Sequence, residues 1–211
     1  MVTAKICGLS TPETLDAAIA GGASHVGFVF FPPSPRNLSF KRAAELAART
    51  PDRVARVGVF VDPDDALLEQ AVEVAGLAVI QLHKVGPARA AAVRVRFDRE
   101  VWAGVPVKTR ADLDAADMLV GAVDRVLYDA KPPPGAPLPG GTGVRFDWTL
   151  LDGFRHPLPW VLSGGLDAGN VAAAIARTGA ALVDVSSGVE TTPGIKDAAL
   201  IAKFLKAVEA S

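Results

Sequence analysis

The strongest constraint on the fold of this 211-residue chain is a regular alternation of short apolar runs with longer segments of helical period. The short runs are rich in Val, Leu, Ile and Phe and lack the alternating polarity of a sheet that faces water on one side. Such runs are typical of parallel strands that are buried on both faces. The longer segments are rich in Ala and Leu, as expected of helices that pack on a sheet.

Eight strands and eight helices are predicted, in strict alternation. The predicted strands are 4–7, 25–30, 56–61, 78–82, 101–107, 125–129, 160–162 and 182–185. The predicted helices are 12–20, 40–49, 63–74, 87–96, 111–118, 148–151, 168–177 and 197–207. Eight units of about 26 residues match the repeat of a (β/α)8 barrel. The expected fold class is therefore α/β, a near-minimal (β/α)8 TIM barrel that occupies residues 1–211 as a single domain. The rival architecture, a doubly wound open sheet, usually has fewer strands.

Charge and cysteine content exclude several classes of protein. The 22 Lys and Arg residues are balanced by 23 Asp and Glu residues, so the chain has no electrostatic footprint for nucleic acid or for an anionic membrane. A single cysteine cannot form an internal disulfide, which suits a reducing cytosol. Neither a secretory signal nor an apolar run long enough to span a membrane is recognised. We therefore expect a cytoplasmic protein without nucleic-acid or membrane partners.

Three glycine-rich motifs follow the last three predicted strands. In a (β/α)8 barrel the chemistry lies at the carboxyl ends of the strands, and the loops after strands seven and eight commonly bind phosphate. Bare backbone amides approach an anion closely where no Cβ intervenes, although each motif alone could simply form a tight turn. Together the motifs predict a phosphorylated small-molecule substrate. The motifs are Gly140-Gly141-Thr142-Gly143, Ser163-Gly164-Gly165 and Ser187-Gly188, and the residues expected to bind substrate are Gly141, Gly143, Ser163, Gly164, Gly165, Ser187 and Gly188.

The single cysteine lies at the end of the first predicted strand. Lys5 precedes Cys7 by two residues, so both side chains are expected on the same side of the strand. A nearby ammonium group favours the thiolate and lowers the cysteine pKa, which would suit a general base or a nucleophile. The alternative is a buried, inert cysteine.

A carboxyl group and an arginine occupy two other strand ends. Asp129 ends the sixth strand and would act as a general acid if burial or a charged neighbour raised its pKa. The alternatives are a helix cap or an ion-pair partner of Lys131. Arg36 lies in a proline-rich loop that would present its guanidinium at low entropic cost to a substrate carboxylate. Its alternative is a solvated surface arginine.

The histidines do not predict a metal site. His83 ends the fourth strand, where it would act as acid, base or orienting group, or as a structural histidine. His25 and His156 have no metal-ligand spacing with another His, Cys or carboxylate, so no metal is expected. Lys5 and His83 are included among the residues expected to contact substrate.

Motifs along the whole chain resemble those of the phosphoribosylanthranilate isomerases of tryptophan biosynthesis. The opening Lys-x-Cys-Gly at residues 5–8 and the closing segments at 184–190 and 193–197 are specific, whereas Gly-Gly-Thr-Gly alone is weak. The motifs in between, in the family's order, are Gly27-Phe28-Val29-Phe30, Ser34-Pro35-Arg36, residues 57–61, Gln81-Leu82-His83, Asp129, Phe146-Asp147-Trp148 and Ser163-Gly164-Gly165-Leu166.

The resemblance implies a (β/α)8 barrel that needs neither cofactor nor metal and that occurs as a monomer or a homodimer. It implies an Amadori rearrangement of N-(5′-phosphoribosyl)anthranilate to 1-(2-carboxyphenylamino)-1-deoxyribulose 5-phosphate. By the same resemblance, Cys7 is the general base, Asp129 is the general acid, and Arg36 holds the anthranilate carboxylate. Two kinds of rival remain. One is another phosphate-binding barrel enzyme, such as indole-glycerol-phosphate synthase or the histidine-pathway isomerase, which lack the opening Lys-x-Cys-Gly. The other is a non-catalytic sugar-phosphate-binding barrel.

One position departs from the family pattern. Lys84 stands where the family commonly has glycine after Gln81-Leu82-His83. Glycine would allow a positive φ that lysine resists, so we expect the loop after the fourth strand to have a different shape. Asp184, on the same side of its strand as Ser186, is predicted to be a structural or orienting carboxylate and not a second acid.

Overall fold

The architecture is a closed barrel of eight parallel strands. The structure, a computed structural model, describes residues 1–132, 135, 140–141 and 143–211. Strands β1 to β8 are hydrogen-bonded in chain order. The barrel closes where β1 pairs with β8, from Thr3 opposite Leu182 to Ile6 opposite Val185. The predicted (β/α)8 barrel is confirmed.

The strands lie close to their predicted positions. They are Thr3–Cys7 (β1), His25–Phe30 (β2), Ala55–Val61 (β3), Val79–His83 (β4), Glu100–Val107 (β5), Arg125–Ala130 (β6), Trp160–Leu162 (β7) and Leu182–Val185 (β8). The α-helices are Pro12–Ala20 (α1), Phe40–Arg49 (α2), Asp65–Ala75 (α3), Pro87–Phe97 (α4), Val171–Thr178 (α5) and Ala198–Glu209 (α6). The first helix begins as expected, with Pro12 in its first turn and the Thr11 hydroxyl accepting a hydrogen bond from the Thr14 amide.

Two of the predicted helices are 3₁₀ helices, Arg110–Leu119 and Trp148–Leu151. In the first, the Asp112 carboxylate accepts hydrogen bonds from the backbone amides of Lys108 and Thr109. This arrangement, together with the Thr109 side chain, is a capping box that satisfies backbone amides at the start of the helix. Helix α5 begins three residues later than predicted, because Asn170 first closes a turn by bonding to Gly165 and Asp167.

A short hairpin after β8 was not predicted. It joins Glu190–Thr192 (β9) to antiparallel Ile195–Lys196 (β10), with Glu190 opposite Lys196. Strands of three and two residues are too short to give a hydrophobic pattern. The Pro193-Gly194 dipeptide is the one local signal that indicates a turn there.

The core has two layers. Inside the barrel, apolar side chains from alternate strand positions, such as Val57, Val79 and Leu127, form one cluster. Trp102 is fully buried in that cluster and packs against His25 near the amino ends of the strands. A larger cluster fills the space between the strands and the surrounding helices. No helix within the described ranges is both long and apolar enough to cross a membrane.

The loop after β4 corrects one expectation. Lys84 has a φ of 56°, so lysine adopts the left-handed conformation that it was expected to resist. The β4 end, paired with β3 up to Val61 opposite His83, holds the chain in this turn. The loop therefore has the backbone conformation that a glycine would favour, and the lysine carries the strain.

We expect Lys84→Gly to raise the free energy of unfolding by about 1 kcal/mol, because glycine adopts this φ without the Cβ–carbonyl clash. Urea unfolding followed by circular dichroism measures the change. Lys84→Ala is the matched control, since alanine keeps the Cβ and should give no gain. If the glycine variant were no more stable than the alanine variant, the interpretation that the backbone is strained at Lys84 would be wrong.

Candidate active site

A cavity opens at the carboxyl ends of the barrel strands. Most of the predicted site residues meet there, although they come from the ends of six different strands or from the loops that follow them. The predicted residues that line it are Cys7, Arg36, His83, Asp129, Gly141, Gly143, Ser163, Gly164, Gly165 and Ser187. Thr142, part of the Gly-Gly-Thr-Gly motif, lies outside the described residues.

Lys5 and Gly188, which were also predicted to contact substrate, are not among the residues that line the cavity. Lys5 is 0% exposed and does not line the cavity, because its Nζ is drawn into the barrel by Asp184, 2.8 Å away. A side chain at Gly188 would overlap the carbonyl group of Leu166. Gly188 therefore serves the packing of the loops after β7 and β8 against each other.

The Cys7 thiol lies at the end of β1, beside Gly27 of β2. A Cβ at Gly27 would lie 3.0 Å from Cys7 Sγ and 3.2 Å from Lys5 Cε, so glycine makes room for both side chains. Burial raises the pKa of Cys7, while the ammonium groups of Lys5 and Lys196 act in the opposite direction. The expectation of a lowered pKa is therefore wrong: Lys5 does favour the thiolate, but burial outweighs it.

Asp129, at the end of β6, is buried and accepts a hydrogen bond of 2.8 Å from the Ala130 amide. Burial, with a smaller contribution from the Asp184 carboxylate, raises the pKa of Asp129 to about 7. A carboxyl group in this range still holds a proton near neutral pH and is able to donate it. The alternative pairing with Lys131 is not formed, because Lys131 Nζ bonds to Asp112 at 3.0 Å.

Asp184, on β8, is hydrogen-bonded to two other side chains of the site. Its Oδ1 accepts from Lys5 and its Oδ2 accepts from the Ser163 hydroxyl at 3.1 Å. Both oxygens of the carboxylate are thus held within the barrel, and Asp184 also lines the cavity. This placement fits an orienting carboxylate.

Arg36 is 5% exposed, so the surface arginine considered as an alternative is wrong. Its side-chain stem passes over Gly8, where a Cβ would lie 2.7 Å from Arg36 Cδ. The guanidinium bonds to Glu190, and Glu190 bonds in turn to Lys196. Glu190 and Lys196 are polar residues that the sequence reasoning did not single out. The sequence did contain a pointer to them, because Glu190 and Lys196 lie in the two closing segments 184–190 and 193–197, on either side of the Pro193-Gly194 turn.

His83 is a neutral, hydrogen-bonded histidine. Its Nε2 lies 2.9 Å from Gln81 Nε2, and burial lowers the pKa of His83 to about 4. The neutral imidazole therefore accepts from the Gln81 amide and orients it. The side chain of Gln81 lines the cavity, and its Oε1 is buried. Among the described residues none donates a hydrogen bond to this oxygen. A buried acceptor of this kind suits a hydrogen-bond donor of a ligand.

Most of the remaining lining residues of the cavity are apolar side chains and glycines. Five of the apolar lining residues come from β2, from β3, from β6 and from the position after β2; they are Val29, Val59, Val61, Leu127 and Phe31. The loops after β6 and β7 contribute lining glycines with φ between 63° and 87°, a conformation that other residues rarely adopt; they are Gly141, Gly143, Gly164 and Gly165. Within the described part of the chain, no three His, Cys, Asp or Glu residues cluster as metal ligands.

The fold and the cavity define a class: a (β/α)8-barrel protein whose strand ends combine a buried thiol, a buried carboxyl group with a raised pKa and a fixed arginine beside glycine-rich loops. The family model described as N-(5′-phosphoribosyl)anthranilate (PRA) isomerase matches residues 4–207. The chain belongs to the N-(5′-phosphoribosyl)anthranilate isomerase family.

Relatives and solved structures agree with this assignment. A protein of Zymomonas mobilis subsp. pomaceae, named N-(5′-phosphoribosyl)anthranilate isomerase, is 56% identical over 209 residues, which cover 98% of each chain. The crystal structure of phosphoribosyl anthranilate isomerase from Thermotoga maritima matches all of both chains at 34% identity with a TM-score of 0.85. A phosphoribosyl anthranilate isomerase in complex with reduced 1-(o-carboxyphenylamino)-1-deoxyribulose 5-phosphate matches all of both chains at 32% identity with a TM-score of 0.81.

Proposed function

We propose that this chain converts N-(5′-phosphoribosyl)anthranilate to 1-(2-carboxyphenylamino)-1-deoxyribulose 5-phosphate, with Asp129 as general acid and Cys7 as general base. The observation that carries the assignment of roles is that a carboxyl group with a pKa of about 7 and a thiol line one cavity. They come from β6 and β1, on different sides of the barrel mouth. A substrate lying between them is accessible to an acid and to a base at the same time.

The acid acts first. The Asp129 carboxyl group donates its proton to the ring oxygen of the ribose, and the bond between that oxygen and C1′ breaks. The nitrogen lone pair forms a C1′=N bond, which gives an open-chain protonated Schiff base. Burial supports this role because it keeps Asp129 protonated at a pH where an exposed aspartate would be ionised.

The base acts next. The Cys7 thiolate takes the proton from C2′, and the electron pair of that C–H bond forms a C1′=C2′ bond as the C1′=N electrons return to nitrogen. The resulting enolamine becomes the ketone when C1′ gains a proton and the C2′ hydroxyl loses one. The rearrangement is internally balanced, so the proposed steps need no electron acceptor.

Lys5 and Asp184 act on the protonation states of these two groups. The ammonium of Lys5 favours the thiolate form of Cys7, and the carboxylate of Asp184 favours the protonated form of Asp129. The Lys5–Asp184 ion pair thus biases both residues toward the protonation states that the reaction requires.

Three parts of the substrate match three parts of the cavity. The apolar lining residues suit the anthranilate ring, Arg36 suits its carboxylate, and the loops after β6, β7 and β8 suit the phosphate. The compound bound by the solved relative carries the same three groups. A relative from Thermotoga maritima is described as dimeric, with monomers generated from it. For this chain, a monomer or homodimer in the cytoplasm stays a prediction.

A fluorescence assay tests the activity. Purified protein should accelerate the loss of phosphoribosylanthranilate fluorescence well beyond the uncatalysed rate. A protein that binds the sugar phosphate without converting it would leave the rate unchanged, and that outcome would contradict the proposal.

Arg36→Met should raise KM for phosphoribosylanthranilate by about 10- to 100-fold, because a charge-assisted bond to the substrate carboxylate is lost while apolar bulk is kept. The kcat should change much less, since neither proton transfer involves Arg36. Steady-state kinetics measures both constants. An unchanged KM would remove Arg36 from the carboxylate site.

A further inference from the structure

The guanidinium of Arg36 is held from one edge. Arg36 Nε donates to Glu190 Oε1 at 2.7 Å, and Nη2 donates to Glu190 Oε2 at 2.8 Å. Nη2 also donates to the Gly141 carbonyl at 3.0 Å. This bidentate pairing fixes the plane of the guanidinium. Nη1 takes no part in it and lies beside Gly141, where a Cβ would be 2.8 Å away. Arg36 and Gly141 both line the cavity.

Glu190 is shared with a second cation. Lys196 Nζ donates to Glu190 Oε1 at 2.6 Å, to the Ser186 carbonyl at 2.9 Å and to the Ser186 hydroxyl at 3.2 Å. Three acceptors are the full complement of an ammonium group. The side chains of Lys196 and Glu190 are 1% and 4% exposed. Two buried cations thus share one carboxylate, which leaves one surplus positive charge at the cavity. An unmatched buried charge is costly, and an anionic ligand would relieve that cost.

The short hairpin places these two residues. Glu190 and Lys196 are opposite each other in β9 and β10. Gly194, in the turn between them, lies against the loop that carries Arg36, since a Cβ there would be 2.8 Å from the Pro35 carbonyl oxygen. The hairpin therefore packs against the loop that carries Arg36, and it supplies the carboxylate of Glu190 and the ammonium group of Lys196 to that loop.

We propose that Glu190 and Lys196 are positioning residues that orient Arg36 and set the surplus positive charge, and so make the site selective for a substrate whose aromatic ring carries a carboxylate. The selectivity has two separable components. Glu190 fixes the direction of the guanidinium, and Lys196 restores the positive charge that Glu190 would otherwise cancel. This inference rests on the proposed function and deepens it.

The test compares two substrates in the full-length enzyme. One is phosphoribosylanthranilate, and the other is the same compound made from aniline, which lacks the carboxylate. Glu190→Gln breaks the bidentate pairing, because an amide offers one acceptor oxygen. Lys196→Met removes the surplus charge. Each should lower the ratio of kcat/KM for phosphoribosylanthranilate to kcat/KM for the aniline compound by about 10- to 100-fold. Lys196 also favours the Cys7 thiolate, but a loss in Lys196→Met that comes from Cys7 is common to both substrates and cancels in this ratio.

Two controls complete the design. Lys196→Arg keeps the charge and should restore most of the selectivity lost in Lys196→Met. Glu45→Gln alters an exposed carboxylate that pairs with Arg42 on the helix surface, and it should leave both substrates unchanged. Turnover of the aniline compound also reports whether each variant is folded.

The outcomes are distinct. Equal loss for both substrates would mean that the hairpin serves the fold alone, and it would overturn the inference. Unchanged selectivity in both variants would overturn it as well while the isomerase activity stands. A wild-type protein that fails to consume phosphoribosylanthranilate would instead refute the proposed function, and the inference with it.

Discussion

Replacing Cys7 with alanine should lower kcat by about 10²- to 10⁴-fold, the usual contribution of a positioned general base. The proton on C2′ would then have no acceptor at the end of β1. Binding should change little, because the phosphate, the ring and the carboxylate are assigned to other parts of the cavity. The KM should therefore stay within a few-fold of the wild-type value in steady-state kinetics.

The Cys7→Ala result separates a base from an inert cysteine. Binding of a product analogue, measured by calorimetry, is the control for an intact cavity. Near-normal turnover, or loss of binding together with turnover, would remove Cys7 from the role of base.

Replacing Asp129 with asparagine should lower kcat by a similar factor of about 10² to 10⁴. Asparagine keeps the size of the side chain but has no proton to donate to the ribose ring oxygen, so the ring would open slowly. The variant should still bind product analogue. Turnover within a few-fold of the wild type would contradict the role of Asp129 as acid.

The pH profile of Asp129→Asn identifies the group that is responsible for the break expected near pH 7. In the wild type, kcat/KM should rise with pH up to about 7, because below this value both Asp129 and Cys7 hold protons and no thiolate is present. Above it the pair shares one proton and the profile levels, until the thiol also ionises and activity falls. In Asp129→Asn the break near 7 should disappear, and the residual activity should rise until the thiol ionises. A retained break near 7 would assign it to another group.

The barrel could be predicted from the sequence because its strands are short, buried on both faces and separated by helices of ordinary length. Each such strand is visible in the sequence as a short apolar run; the predicted and observed bounds of β2 and β8, for example, coincide. The same reasoning located Cys7, Asp129 and Arg36, because barrel topology brings strand ends together. Position at a strand end was sufficient to locate Cys7 and Asp129, whereas Arg36 was located by the proline-rich loop that follows β2.

Other features depend on contacts between distant residues, and the sequence does not reveal them. The pKa of Cys7 was expected to fall from the presence of Lys5, but its direction depends on how deeply the thiol is buried. Lys5 itself is withdrawn from the cavity by Asp184, which lies 179 positions further along the chain. The pairing of Arg36 with Glu190 spans 154 positions and depends on a hairpin too short to show a periodic pattern.

The most direct test of the acid–base assignment is the rate of phosphoribosylanthranilate consumption by the double variant Cys7→Ala/Asp129→Asn beside the wild type. The fluorescence of the substrate should fall rapidly with the wild-type protein, and with the folded double variant it should fall at close to the uncatalysed rate. A double variant that retains a tenth or more of the wild-type rate, or a wild type that consumes no substrate, would contradict the account.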